Sequence, residues 1–114
     1  AQTVCTVERL EALSLKAQGI LKEQGYKNIH FRIGDGAQGW QKAYPAFREF
    51  NKIVVSAAAT EIPPRLKEQL AVDGILVVPV GSGYYQILNK VVRTAEGFTT
   101  SEHGGCTFVP LIST

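Results

Sequence analysis

The stretch GDGAQGWQKAYPAFREFNKIVVSAAATEIPP, residues Gly34–Pro64, decides the fold predicted for this 114-residue chain. Its apolar run Ile53–Val55 is typical of a strand that is buried on both faces of a parallel sheet. The small residues Ser56–Thr60 leave room at the carboxyl end of that strand, where open α/β sheets bind ligands. Pro63 and Pro64 then suit the first turn of a helix. The stretch therefore predicts one wall of a ligand crevice.

The rest of the chain places further strands and helices around this wall. Short runs rich in β-branched or apolar residues predict four parallel strands: Thr3–Val7, Asn28–Ile33, Lys52–Ser56 and Ile75–Val80. An apolar stripe at helical spacing predicts one helix: Leu10, Leu13, Ala17, Ile20 and Leu21. A second helix is predicted over Pro63–Leu70, ended by Asp73-Gly74, with Leu66 and Leu70 inward. An antiparallel hairpin is predicted from Tyr85–Thr94 and Phe98–Val109, which gives an α/β fold with a mostly parallel sheet and an antiparallel edge hairpin.

Three local patterns refine this prediction. The aromatic residues that precede the third strand are expected to pack as a small cluster: Trp40, Tyr44, Phe47 and Phe50. Pro79 lacks a backbone N–H, so it is expected near a strand end or a sheet edge. The glycine-rich Gly81–Tyr84 is followed by an alternating, β-branched segment rather than a helix, so it predicts a turn between strands rather than a phosphate-binding loop.

Composition and charge exclude several classes of protein. The length suits one domain, and 45% hydrophobic with 19% charged residues is ordinary for a globular chain. A net charge of +2 with scattered basic residues gives no indication of a nucleic-acid surface. No apolar run approaches the ~20 residues that span a membrane. Cys5 and Cys106 lie far apart and are expected to be reduced, which predicts a cytoplasmic protein.

Two acidic residues are the candidates for ligand binding. Glu8 follows a predicted strand, where a carboxylate can accept hydrogen bonds from both ribose hydroxyls. A solvated glutamate at a helix start is an equal alternative. Asp35 lies between two glycines after a strand, so its carboxylate could accept a hydrogen bond from an adenine amino group. The alternative there is an ordinary turn aspartate.

Other kinds of chemistry find less support in the sequence. His30 and His103 have no Cys, Asp or Glu at the spacing of a metal site, so no metal is predicted. Ser56 lies outside a GxSxG pattern, which argues against a hydrolase nucleophile.

The chain resembles the protein-L-isoaspartate O-methyltransferase family. The matching pieces cover nearly the whole sequence and run in order: VCTVER at Val4–Arg9, GYKNIHFRIGDGAQGW at Gly25–Trp40, IVVSAAATEIPPRLKEQL at Ile53–Leu70, DGILVVPVG at Asp73–Gly81 and FVPLI at Phe108–Ile112. The resemblance implies a Rossmann-like fold that binds S-adenosylmethionine. It also implies transfer of the methyl group to the carboxylate of isoaspartyl residues in damaged proteins or peptides, as a repair reaction.

The resemblance also implies roles for individual residues. Glu8 would bind the ribose, and Asp35 with Gly36 would lie on the adenine side. Ala58 would lie beside the cofactor and Ala59 and Thr60 beside the substrate. The tail would fold over the isoaspartyl group with Val109, Pro110 and Leu111. At Thr60 many relatives have proline. No catalytic acid or base is expected, because the nucleophile is a carboxylate that is already ionised near neutral pH.

The family pattern also includes a glycine-rich cofactor loop and a first strand that this sequence does not contain. Residues 1–114 therefore resemble the carboxyl-terminal portion of a single methyltransferase domain, and this portion alone is expected to be inactive. The strands Thr3–Val7 and Lys52–Ser56 would each expect the same neighbour. Either a further segment fills that gap, or a second copy does by self-association through the open sheet, or the two strands pair directly. The alternatives are another S-adenosylmethionine-dependent methyltransferase and a non-catalytic Rossmann-like binding module.

Overall fold

The computed structural model describes residues 3–40 and 48–112, so Tyr44 and Phe47 of the predicted aromatic cluster lie outside the described residues. The chain divides into two compact units. We call the one within Ala1–Gly36 the amino-terminal unit and the one within Ala37–Ile112 the carboxyl-terminal unit. Each unit contains both helix and sheet, which agrees with the α/β class predicted from the sequence.

The amino-terminal unit is a single βαβ motif. Strand β1 (Val4–Glu8) and strand β2 (Ile29–Ile33) are parallel, and helix α1 (Glu11–Glu23) connects them. The acidic Glu11 begins the helix and Lys22 lies in its last turn, so both charges favour the helix dipole. Gly25 has a φ of +88°, a conformation typical of the residue that follows a helix. The predicted strand–helix–strand order is confirmed.

The apolar stripe of α1 is present, but it is not buried as expected. Leu10 is the N-cap residue, and Leu13 and Ile20 are 51% and 49% exposed. The one buried residue of the helix is Ser14. Strands lie about 4.8 Å apart and a helix with its side chains is about 10 Å wide. A two-stranded sheet is therefore too narrow to cover the whole stripe.

The carboxyl-terminal unit contains a four-stranded mixed sheet in the order β3-β4-β5-β6. Its elements are β3 (Phe50–Val54), α2 (Pro64–Glu68), β4 (Leu70–Ser82), β5 (Tyr85–Thr94) and β6 (Gly97–Cys106). Strands β3 and β4 are parallel, whereas β4–β5 and β5–β6 are antiparallel. This arrangement confirms parallel pairing that continues into an antiparallel edge hairpin.

The core of the carboxyl-terminal unit lies between α2 and the sheet. Leu70, Leu76, Val78 and Val91 are fully buried, and Leu66 of the helix packs with them. Leu66 and Leu70 therefore point inward as predicted, although Leu70 is already the first residue of β4. Trp40 is also buried, as the packing interpretation of the aromatic residues requires.

Strands β3 and β4 both begin earlier than predicted. Strand β3 lies two residues earlier than Lys52–Ser56, because Phe50 already pairs with Leu70. The expected burial of Ile53–Val55 on both faces is wrong, because β3 is an edge strand of the described sheet and Val54 is 76% exposed. Strand β4 begins at Leu70 rather than Ile75, because Asp73-Gly74 forms a bulge in which residues 71–74 lie opposite Asn51. Asp73 has a φ of +68°, which aspartate tolerates better than most residues. An added Cβ on Gly74 would lie 2.7 Å from the Ala71 carbonyl oxygen.

The hairpins follow the predicted order. Ser82 pairs with Tyr85, so Gly83 and Tyr84 form a two-residue turn, which confirms the turn interpretation of the glycine-rich stretch. The last strand ends at Cys106 rather than Val109, because the chain then leaves the sheet. Pro79 lies inside β4, but its carbonyl accepts a hydrogen bond from Ala59 beyond the end of β3 (2.9 Å). The Pro79 nitrogen points towards the same neighbour, beyond the residue at which β3 ends. The N–H that proline lacks therefore removes no hydrogen bond between β3 and β4.

The sequence analysis left three alternatives for the strand neighbour that β1 and β3 both expect, and the structure removes one of them. Among the described strands, β1 pairs with β2 and β3 pairs with β4, so direct β1–β3 pairing is not formed. The other two alternatives remain predictions. Within the described ranges, no helix has the length and apolar character needed to cross a membrane.

Candidate functional site

The first group of candidate residues lies at the carboxyl edge of the β1–β2 pair. Glu8 and Ile33 are paired at the ends of their strands, and the Gly34 amide donates to the Glu8 carbonyl at 3.0 Å. Asp35 and Gly36 follow within two residues. Because the strands are parallel, both acidic residues emerge at one edge of the sheet, where ligands bind in open α/β folds. All three candidates in this group are half-buried.

The Glu8 carboxylate has a contact that bears on the alternatives left open by the sequence. Its Oε1 accepts a hydrogen bond from the Leu10 amide at 3.1 Å, just before α1 begins. Glu8 therefore has a contact at the start of the helix, as the alternative interpretation of this residue expects. A carboxylate has about four acceptor positions, and this bond uses one of them. Ribose binding by the same group is compatible with this geometry.

The GDG-x-x-GW stretch continues into the carboxyl-terminal unit, where an amide side chain binds its last residue. Gln69 Oε1 accepts from the Trp40 amide at 2.9 Å, and Gln69 Nε2 donates to the Trp40 carbonyl at 3.2 Å. The Gln69 carbonyl also accepts from the Phe50 amide at 2.7 Å. Gly39 has a φ of +67°, and an added Cβ there would overlap the Gln69 amide. The backbone angle of Gly39 favours glycine, and an added Cβ would displace the Gln69 amide from Trp40.

The sequence interpretation missed Gln69. It lies inside the helix predicted over Pro63–Leu70, whereas the observed helix ends at Glu68. Nothing nearby in sequence marks it as a partner of Trp40. The available signal was the glycine before a buried tryptophan, which suggests a close approach by another group but does not identify it.

The second group of candidates is the small-residue loop after β3. The Ala59 amide donates to the Pro79 carbonyl, and the Ala59 carbonyl accepts from the Gly81 amide, both at 2.9 Å. Ala59 therefore pairs with β4 on one side as a short parallel bridge to Val80. Its side chain is 5% exposed and belongs to the core. The small residues let the loop lie directly against the strand.

Ala58 pairs on the other side, with the tail of the chain. Its amide donates to the Val109 carbonyl at 2.7 Å, and its carbonyl accepts from the Leu111 amide at 2.8 Å. The two bonds make a short parallel bridge between Ala58 and Pro110. The tail thus lies beside the small-residue loop as a short additional strand segment. All six residues that the resemblance assigns to the methyl and substrate side meet here: Ala58, Ala59, Thr60, Val109, Pro110 and Leu111.

The members of this group differ in what they present to solvent. Ala58 and Ala59 are buried, so they supply main-chain hydrogen bonds and a close backbone. Thr60 and Pro110 are exposed, and Val109 is 71% exposed. Leu111 instead packs against the core. The exposed side chains of Thr60, Val109 and Pro110 are therefore the ones available to contact a bound molecule.

Cys5 and His103 are titratable residues that lie outside the two candidate groups. Burial raises the pKa of the Cys5 thiol, which favours its neutral form. His103 Nε2 lies 2.7 Å from the Ser101 hydroxyl on the exposed edge strand. In residues 3–40 and 48–112, no three His, Cys, Asp or Glu side chains come together in a way that could hold a metal ion. The carboxylates of Glu8 and Asp35 offer hydrogen-bond acceptors at the β1–β2 edge. The loop at Ala58–Thr60 and the tail beside it offer a mostly apolar surface.

Comparison with known proteins gives a consistent result. A family model described as protein-L-isoaspartate(D-aspartate) O-methyltransferase matches residues 1–114. A protein-L-isoaspartate O-methyltransferase of Pseudomonas aeruginosa (strain LESB58) is 45% identical over 112 residues, which are 98% of this chain and 51% of that protein. One from Dictyoglomus turgidum is 40% identical over 111 residues, 97% of this chain and 49% of that protein. The chain thus spans about half the length of the curated relatives it matches.

Solved structures agree on the fold. A crystal structure of a Plasmodium falciparum protein described as a protein-L-isoaspartate O-methyltransferase, in complex with S-adenosyl-L-homocysteine, matches with a TM-score of 0.82 and 23% identity. The match covers 98% of this chain and 53% of that one. A second structure, named protein-L-isoaspartate O-methyltransferase, matches with a TM-score of 0.81 and 21% identity, over 95% of this chain and 33% of that one. These likenesses confirm the predicted Rossmann-like methyltransferase fold.

Proposed function

Because the chain belongs to the protein-L-isoaspartate(D-aspartate) O-methyltransferase family, we propose that the protein carrying it methylates isoaspartyl residues in damaged proteins, with S-adenosylmethionine as the methyl donor. The observation that best supports this proposal is the bridge between Ala58 and the Val109–Leu111 tail. It brings the loop expected beside the methyl group next to the tail expected over the substrate.

The proposed roles divide between the two units. In the amino-terminal unit, Glu8 binds the ribose hydroxyls, and Asp35 with Gly36 contacts the adenine. In the carboxyl-terminal unit, Ala58 lies beside the cofactor. The substrate side is assigned to Ala59, Thr60, Val109, Pro110 and Leu111. The exposed side chains of Thr60, Val109 and Pro110 make the contacts, and Ala59 and Leu111 hold them in place. The matching edge position of Glu8 and Asp35 supports the first assignment, since parallel strands present their carboxyl ends together.

The proposed chemistry requires positioning more than proton transfer. S-adenosylmethionine supplies an activated methyl group, and the substrate carboxylate is ionised near neutral pH. The residues of this chain then have to orient the carboxylate oxygen towards the methyl carbon and exclude competing geometries. The Ala58 and Ala59 backbone, fixed by hydrogen bonds on both sides, is suited to this task. No general base is needed, which fits the absence of a predicted catalytic acid–base pair.

A methyl-transfer assay with two peptides tests the proposal. The protein expressed from its complete reading frame is given radiolabelled S-adenosylmethionine and either an isoaspartyl peptide or the same peptide with ordinary aspartate. We expect label in the isoaspartyl peptide alone, as a base-labile methyl ester. Equal labelling of both peptides would favour a methyltransferase with another substrate. Cofactor binding without any methylation would favour a non-catalytic module.

The same assay also tests whether residues 1–114 are active alone. Residues 1–114 expressed alone are predicted to be inactive, and a rate equal to that of the complete reading frame would contradict this. The cytoplasmic location and self-association through the open sheet also remain predictions, to be checked by fractionation of the native cells and by sedimentation of the purified protein.

A further inference from the structure

Gln86 is a buried amide that the assigned roles leave unused. It lies near the start of β5 and is 1% exposed. Its Nε2 donates to the Gly83 carbonyl at 2.8 Å, and its Oε1 accepts from the Phe108 amide at 2.7 Å. Both ends of the side chain are therefore engaged, one with the β4–β5 turn and the other with the tail.

Gln86 lies where regular sheet pairing of the tail ends. Gln86 and Cys106 form the last pair of the β5–β6 ladder, and the chain then leaves the sheet. At Phe108 the Gln86 side chain replaces the missing strand partner. The next residue, Val109, makes the first hydrogen bond to Ala58. The Gln86 contact and the Ala58 bridge thus act on adjacent residues of the tail.

The surroundings of Gln86 favour this amide over other side chains. A carboxylate could not donate to the Gly83 carbonyl, and an apolar side chain could neither donate there nor accept from Phe108. Gly81 lets the backbone at Gln86 approach closely: an added Cβ would lie 2.7 Å from the Tyr85 carbonyl oxygen, 2.9 Å from the Gln86 Cα and 3.3 Å from its Cγ. The glycine-rich stretch that the sequence analysis assigned to a turn therefore also makes room for Gln86.

We propose that Gln86 is a positioning residue that fixes the Phe108 amide, holds Val109–Leu111 against Ala58, and thereby sets the affinity for the isoaspartyl peptide. This inference rests on the proposed function, because it takes the tail as the substrate side of the site. Gln86 acts through the tail and does not itself touch the substrate. A second contact supports the same segment, since the Thr107 hydroxyl donates to the Tyr84 carbonyl at 2.7 Å.

The test compares Gln86→Met with a matched control in the protein expressed from its complete reading frame. Methionine keeps the length of the side chain but provides neither hydrogen bond. Asn89→Leu is the control, because it also removes a buried amide from β5, and the hydrogen bond that Asn89 donates goes to Ile87 of its own strand. Three quantities are measured for each: KM and kcat for an isoaspartyl peptide, the Kd of S-adenosylhomocysteine, and the exchange rate of the Leu111 amide by NMR.

For Gln86→Met we expect KM to rise at least about fivefold, the factor for one lost buried hydrogen bond. Both kcat and the Kd of S-adenosylhomocysteine should change little. The Leu111 amide should exchange faster, because its bond to Ala58 opens more often. Asn89→Leu should leave KM and Leu111 exchange near wild type. An unchanged KM in Gln86→Met, or an equal rise in the control, would overturn the proposal.

A milder variant decides the question if Gln86→Met does not fold. Thr107→Val removes an exposed contact of the same tail while keeping the shape of the side chain, so it should raise KM and Leu111 exchange in the same direction by less. No change in either quantity would refute the positioning role. If the wild type methylates no isoaspartyl peptide, the proposed function fails, whereas Leu111 exchange still reports whether Gln86 anchors the tail.

Discussion

The two units of the chain bury their residues very differently. Among described residues 3–36, Ser14 is the one buried residue, and the apolar Leu13, Leu15 and Ile20 of α1 are about half exposed. The carboxyl-terminal unit encloses a continuous core that includes the fully buried Leu76 and Val91. In the described residues, the buried apolar side chains thus belong to the four strands and the helix of the carboxyl-terminal unit.

This difference has a consequence for the candidate site. The residues proposed to bind the nucleoside, Glu8 and Asp35, are placed by the register of a two-stranded parallel pair. The Ala58–Ala59 loop is fixed by four backbone hydrogen bonds to β4 and the tail, above a full core. Substitutions in the core of the carboxyl-terminal unit should therefore act mainly on stability, and those at the β1–β2 edge mainly on ligand binding.

The largest expected effect comes from truncating matched leucines in the two units. Leu76→Ala creates a cavity at a fully buried position and should lower the free energy of unfolding by about 2–5 kcal/mol. Leu13→Ala removes a half-exposed side chain from a helix that tolerates alanine well, so its effect should stay near about 0.5 kcal/mol. Urea denaturation of both variants gives the two numbers.

Equal losses of unfolding free energy for Leu76→Ala and Leu13→Ala would contradict the difference in burial between the two units. A large effect of Leu13→Ala would mean that the α1 stripe is covered in the protein that is measured. The same experiment on the complete reading frame and on residues 1–114 would show whether that cover comes from other parts of the protein.

The next effect concerns binding rather than stability. Glu8→Ala should weaken S-adenosylmethionine binding by ~1.5–3 kcal/mol, the scale of hydrogen bonds to a charged group. Glu11→Ala is the control, because it removes a carboxylate from the first turn of the same helix without touching the sheet edge. Isothermal titration calorimetry of both variants separates the ribose role from the helix-start role. A Kd for Glu8→Ala that matches Glu11→Ala would remove Glu8 from the proposed site.

A smaller effect distinguishes two glycines with similar backbone angles. Gly25 (φ +88°) has open space around it, whereas Gly39 (φ +67°) lies against the Gln69 amide. Gly25→Ala should cost about 1 kcal/mol for the left-handed conformation alone. Gly39→Ala should cost roughly 1 kcal/mol more, because it also displaces the Gln69–Trp40 hydrogen bonds. Thermal unfolding gives the difference, and equal values would mean that the Gln69 clamp adds nothing.

The order of the helices and strands could be predicted because each element has a recognisable pattern within a short stretch of sequence. The Ile53–Val55 run, the proline pair before α2 and the Tyr85–Thr94 alternation are patterns within ten residues of chain. Strand β5 has the predicted bounds. The resemblance assigned Ala58 to the cofactor and Val109–Leu111 to the substrate, and in the structure a backbone bridge joins Ala58 to Pro110. The roles themselves remain predictions.

The missed features depend on residues far apart in the chain. Gln69 binds Trp40 across 29 positions and Gln86 binds Phe108 across 22. A glutamine has no sequence pattern that reveals which backbone groups its amide will reach. Asp73-Gly74 was predicted to end the second helix, but that helix ends at Glu68 and Asp73-Gly74 lies in an irregular part of β4.

The smallest expected effect uses the free cysteines, one in each unit: Cys5 and Cys106. In a Cys106→Ser background, the alkylation rate of Cys5 should have its pH midpoint above that of the urea-unfolded chain. The reason is that burial raises the pKa of the Cys5 thiol and the thiolate is the reacting form. The folded chain then holds this proton more tightly than the unfolded chain does. The contribution of Cys5 to the free energy of unfolding is therefore fully present below the ordinary thiol pKa. It declines as the pH rises through the folded value. Coinciding midpoints would mean that Cys5 in β1 is as open to water as in an unfolded chain. The difference in burial between the two units would then be larger than the structure shows.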